Sequence, residues 1–102
     1  MLTTKRKPVT VGEILMEEFM RPMGLTQSAL AEAMGVQRKH VNELCNGRRK
    51  VTAPTALIVA RVFSNSPDFW LNTQRRNDLW EAMHSPRERA RIELAKPMRS
   101  AA

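Results

Sequence analysis

The chain has no tyrosine, one cysteine and four glycines in 102 residues. Each shortage closes off a class of protein. A lone cysteine, Cys45, cannot make an intrachain disulfide, so a disulfide-stapled secreted scaffold is excluded and a reducing cytoplasm is the natural setting. No glycine-rich stretch offers a phosphate cradle. His40 and His84 stand apart from any cysteine or carboxylate cluster, which leaves no metal-ligand spacing. No nucleophile-base or paired-acid arrangement appears, so neither catalysis nor a cofactor is expected. No apolar run approaches the roughly 18 residues of a membrane span. The opening MLTTKRKP leads straight into an amphipathic segment without the apolar centre of a secretory signal, so export is not expected either.

What the chain does have is positive charge. Seventeen Lys and Arg against ten Asp and Glu give a net charge of +7. That balance favours a polyanionic partner such as nucleic acid, or an acidic protein surface. The length fits one small domain with a modest core.

The punctuation is helical throughout. Thr10 stands three residues before Glu13, a capping-box spacing, and predicts a first helix over about 11–20 that stops near Pro22 and Gly24. Thr26 can cap QSALAEAM, which Gly35 can close. A third helix is expected over about 38–46, ended by Gly47. Thr52 before Ala53-Pro54 and Ser66 before Pro67 mark two more, about 53–64 and 67–83, since proline in a first turn lacks an N–H that would be unpaired there anyway. Ser85-Pro86 repeats the signal ahead of a segment poor in apolar residues, where a short, weakly held helix and a frayed tail are expected. With no alternating strand pattern, an all-α fold follows. Residues 1–84 are expected to form the domain and 85–102 a basic tail.

Between Gln27 and Leu44 the apolar and small residues Leu30, Ala31, Met34, Gly35, Val36, Val41 and Leu44 have the spacing of two short helices crossing steeply through a tight turn. Leu25, Thr26, Gln27, Leu30, Ala31, Gly35 and Val36 spell L-T-Q-x-x-L-A-x-x-x-G-V, which resembles the helix-turn-helix of the Cro and phage-repressor class, a five-helix, lambda-repressor-like fold. The resemblance implies that the third helix is a recognition helix with its first turn in the major groove of double-stranded DNA. Arg38 and Lys39 are then the foremost candidates for base contacts, since either can donate to guanine O6 and N7. Gln37, which caps poorly where this family more often has Ser or Thr, can reach DNA with its long side chain. Gln27 matches a family position that binds phosphate and braces the recognition helix. Asn42 and Glu43, one turn on, could read adenine and cytosine, although Glu43 could instead pair with Lys39 along the helix. Asn46, Arg48, Arg49 and Lys50 are candidates for phosphate contacts, the basic trio being otherwise a solvated loop.

The stretch SNSPDFWLNTQRRNDLW is more particular. Pro67, Asp68, Phe69, Trp70, Leu71, Gln74, Asp78 and Leu79, with the early PVTVGEILMEEFMRPMGLT, resemble the HigA family of antitoxins over about residues 8–80. That resemblance implies a homodimer that represses its own operon from a palindromic operator and neutralises a HigB-type toxin, a RelE-like ribonuclease acting on messenger RNA. The alternative is a free-standing phage-like repressor without a toxin. Trp70, Leu71, Leu79 and Trp80 are expected in part at the dimer interface, or else as the completion of the monomer core. For the toxin, two segments are candidates: MLTTKRKP with its following helix, and the tail from Ser85 to Ala102, whose positive sign sits awkwardly against a basic ribonuclease.

Overall fold

A hydroxyl opens four of the six helices in this computed structural model, which describes residues 6–98. Thr10 Oγ1 accepts from the Glu13 amide at 3.1 Å, Thr26 Oγ1 from Ala29 at 3.0 Å, Ser66 Oγ from Asp68 at 3.1 Å and Ser85 Oγ from Glu88 at 3.4 Å. Each satisfies an amide that the helix itself leaves unpaired, worth about 1 kcal/mol apiece. Thr52 departs from the pattern, for its hydroxyl donates to Thr55 Oγ1 at 3.3 Å and caps no backbone group.

Helix α1 runs through three consecutive stretches, Val11–Ile14, a π-helical Leu15–Met20 and Arg21–Met23. It therefore continues past Pro22 rather than ending ahead of it. A proline late in a helix crowds the carbonyl four residues back and cannot donate. The widened turn lies directly upstream of it, and Arg21 reaches Met16 O, five residues back. Helices α2 (Gln27–Met34) and α3 (Arg38–Cys45) form the helix-turn-helix. Gly35, at φ 71°, closes α2 in the left-handed conformation, with Val36 N–H donating to Ala31 O at 3.0 Å. Helices α4 (Ala53–Phe63), α5 (Pro67–His84) and α6 (Pro86–Leu94) complete the chain. No strand occurs among the described residues.

The core gathers Leu15, Leu30, Val41, Leu44, Val59 and Trp70, each at most 2% exposed. Trp70 stands at an aromatic centre, 5.0 Å from the rings of Phe19 and Phe69, and its Nε1 donates to Asn65 Oδ1 at 3.0 Å. Burial of such a ring with its polar edge satisfied makes it a principal anchor of the fold. At 1% exposure it belongs to the monomer core, which corrects the expectation of Trp70 at a dimer interface. Leu71 is half-buried against the same core.

Two close approaches set where α3 sits. Gly12 faces the end of α3 so tightly that a Cβ there would lie 2.7 Å from the Leu44 carbonyl oxygen, and closer still to that of Cys45. On the far side, α5 fastens both flanks of the helix-turn-helix. Asn77 Nδ2 donates to Val9 O at 2.8 Å, and Gln74 Oε1 accepts from Val51 N–H at 3.0 Å.

Candidate nucleic-acid interface

The apolar residues of α3 fix its orientation. Val41, Leu44 and Cys45 are buried, so at 100° per residue Lys39 and Glu43 lie on the opposite face with Asn42 at its edge, while Arg38 stands over the buried sector and is exposed because it opens the helix. Gln37, Arg38 and Lys39 are exposed at the start of the helix. Gln37 makes no capping bond. Arg38 and Lys39 have no hydrogen bond or ion pair among the described residues, which leaves their donors available.

Behind this first turn lies a polar brace. Asn42 Nδ2 donates to Gln27 Oε1 at 3.1 Å, and Asn46 Nδ2 donates to Asn42 Oδ1 at 3.2 Å. Gln27, at the start of α2, is thereby tied to the middle of α3, and Asn42 is engaged on both ends of its amide. Glu43 is occupied as well. Its Oε1 accepts from Arg49 Nε at 3.0 Å and Nη2 at 2.8 Å, while its carbonyl accepts from the Arg48 amide at 2.9 Å. The partner of Glu43 is thus Arg49 beyond the helix end rather than Lys39. The hydrogen bonds from Arg49 hold the Glu43 carboxyl below its ordinary range. His40, half-buried beside this pair, is pushed down by burial and then by the Arg49 charge, so it is neutral at neutral pH and adds nothing to the positive surface.

The basic trio divides in the same way. Lys50 Nζ lies 3.0 Å from Asp78 Oδ1, an oxygen that also accepts from Gln74 Nε2 at 3.1 Å. The Asp78 carboxylate raises the Lys50 ammonium above its ordinary value. Arg49 leans on Glu43 and Lys50 on α5, while Arg48 keeps an exposed guanidinium without a partner among the described residues. Gln74 and Asp78 are the residues whose part sequence reasoning missed. Their signal was present in the motif that follows Trp70, where they stood without a task. They dock the segment after α3 onto α5.

The remaining expected positions sit on α5 away from the α3 face. Leu79 is 36% exposed, and Trp80 is half-buried, stacked on His84 with ring centroids 4.0 Å apart. Cys45 is buried against Met20, and burial pushes its thiol up, so it is an unreactive core residue. Among the described residues no cluster of His, Cys, Asp or Glu is placed to hold a metal, and no helix is long and apolar enough to cross a membrane.

A braced second helix presenting a cationic, uncapped first turn defines a helix-turn-helix DNA-binding domain of the phage-repressor type. The Helix-turn-helix family HTH_3 matches residues 16–70. The chain is 49% identical over 98 residues to Antitoxin HigA-1 of Vibrio cholerae, covering 96% of this chain and 90% of that one. Its fold superposes on that of the Pseudomonas aeruginosa antitoxin HigA solved with the higBA promoter, with a TM-score of 0.80 and 30% identity over 90% of this chain and 99% of the other. It also superposes on antitoxin GraA solved in complex with its operator, at TM-score 0.83 and 33% identity over 98% and 100% of the two chains. This protein belongs to the HigA family of antitoxins, with a phage-repressor-type helix-turn-helix.

Proposed function

We propose that the chain acts in the cytoplasm as a homodimer that binds a palindromic operator in double-stranded DNA, represses its own operon, and neutralises a HigB-type toxin. The observation that carries the DNA reading is the Arg38 and Lys39 pair, without hydrogen bond or ion pair among the described residues, at the start of a helix whose Asn42 and Glu43 are engaged by Gln27 and Arg49. In this arrangement Gln37, Arg38 and Lys39 meet base edges. Asn42 and Gln27 hold the recognition helix at its angle, and Arg48 leads the phosphate contacts with Asn46 beside it. Glu43, Arg49 and Lys50 shape the segment behind the helix.

Dimerisation sets two recognition helices about 34 Å apart, one turn of the double helix. The exposed Leu79 and the half-buried Trp80 on α5 supply apolar surface for that contact. Residues 1–84 are the DNA-binding and dimerisation unit. Residues 85–102 are a basic tail, in keeping with an α6 that contributes no buried side chain.

The test is fluorescence anisotropy on the DNA upstream of the chain's own reading frame, across a salt series. Binding falls with log salt by about 0.9 per phosphate neutralised. Arg38→Ala/Lys39→Ala loses about 1–3 kcal/mol for each guanine contact removed, and with it the preference for operator over unrelated DNA. Wild-type discrimination in that variant refutes the assignment of base reading to the first turn.

A further inference from the structure

The chain carries +7 overall, yet its acidic residues are unevenly spread. Glu13, Glu17 and Glu18 gather on α1, where with Val9 and Ile14 they line a groove of about 260 Å³. Among the described residues no basic side chain lines it. Val9 is 54% exposed and Ile14 half-buried, so the groove has an apolar floor under an acidic rim. Val11, Gly12 and Leu15 are buried on the other side of the helix, where Gly12 meets the end of α3. At helical spacing Glu13 and Glu17 point away from α3, so the groove is turned from the cationic DNA-reading surface.

The chemistry of the rim limits what can sit there. Phosphate is repelled. The carboxylates do not converge as a cation site requires, since no metal-holding group occurs among the described residues. Glu18 has no partner among the described residues, and Glu17 is held by Arg21 at 2.7 Å in an exposed ion pair, the kind worth little and readily exchanged. An open, apolar-floored groove with carboxylates free to accept cations suits a protein segment that presents an aliphatic side chain between Lys or Arg.

We infer that this α1 groove is where the chain docks a basic, RNA-cleaving toxin, an inference that rests on the antitoxin reading above. A protein that holds RNA must offer positive charge to phosphates. An antitoxin with a net charge of +7 repels such a surface over much of its own, and this groove offers exposed apolar surface of the opposite sign. Operator and toxin then occupy opposite faces of α1 and α3, and one chain can hold both at once.

The experiment uses the full chain and the separately purified toxin encoded beside its reading frame. Toxin affinity is read by calorimetry, operator affinity by anisotropy, and oligomeric state by light scattering. Glu17→Lys/Glu18→Lys spares Glu13, which accepts the Thr10 hydroxyl. It loses toxin affinity by about 100-fold or more, with operator binding and oligomeric state unchanged. Val9→Ser, which alters no charge, loses about tenfold. If both variants bind the toxin as wild type does, the groove is refuted and the antitoxin reading stands. Wild-type chain that fails to bind the toxin overturns the antitoxin reading and the groove together. A charge reversal that instead breaks the homodimer assigns the groove to a second copy and overturns the proposal.

Discussion

Gly12→Ala is the substitution on which general rules and this structure disagree most sharply. Gly12 lies in the first turn of α1, and alanine is ordinarily favoured over glycine inside a helix by up to about 1 kcal/mol. Here the added methyl would meet the Leu44 oxygen at 2.7 Å and the Cys45 carbonyl carbon at 2.8 Å. Both are backbone atoms, pinned by the end of α3, so no side chain can swing aside, and α1 must lift off. Overpacking of this kind costs about 1–3 kcal/mol, and rigid neighbours place it at the upper end. Subtracting the propensity gain leaves about 2 kcal/mol of destabilisation. For a domain of this size that lowers Tm by about 8–16 °C. Thermal melts followed by far-UV circular dichroism, wild type beside Gly12→Ala, measure it directly. A variant that melts within about 2 °C of wild type, or above it, refutes the claim that α1 is seated on the α3 carbonyls.

Two further outcomes follow from the partners described above. Arg48→Ala flattens the log-log salt dependence of operator binding by about 0.9, one phosphate contact, whereas Lys50→Ala flattens it less because the Lys50 ammonium is shared with Asp78; equal slope changes in the two variants contradict this division. His40 has a folded-state pKa below its ordinary 6.5, so the folded chain resists its protonation and stability falls as pH drops from about 6.5 through the folded pKa. His40→Gln flattens Tm between pH 7.5 and 5.5, and a slope equal to wild type there contradicts it. Glu43, depressed from 4.5, contributes stability above that value that is lost at lower pH, in a separate window.

The helices were legible because their start signals are local. Thr10, Thr26, Ser66 and Ser85 cap as their spacing indicates, and Gly35 turns where a left-handed residue is needed. Expected and observed limits differ mainly at α1, where the helix runs on through Pro22 by way of a π-helical stretch. No residue pattern marks that widening, since it depends on a misfit between proline and a carbonyl one turn away. The recognition surface was half legible. Amphipathic spacing puts Lys39 on the open face of α3 and the helix start exposes Arg38, but charge alone cannot separate Arg48 from its neighbours. That distinction rests on Asp78 and on the position of Glu43 relative to the chain beyond the helix, both tertiary facts. Trp70 shows the same limit: an aromatic-rich motif reads equally as interface or core until Phe19, Phe63 and Asn65 are seen around it.

The fastening of Val9 by Asn77 links residues 68 apart in sequence. The helix-turn-helix itself is made of near neighbours and can pair its two helices early, but contacts over such a span close late, after the intervening chain has been ordered. During synthesis, at about 5–20 residues per second, the reading head is therefore complete in covalent terms seconds before α5 arrives to steady it. The same order runs in reverse during turnover. A single cut in the short link between α4 and α5 would leave Arg38 and Lys39 untouched but turn the Asn77 and Gln74 fastenings from contacts within one chain into contacts between two, so the seating of the helix-turn-helix would then depend on α5 staying docked through Trp70.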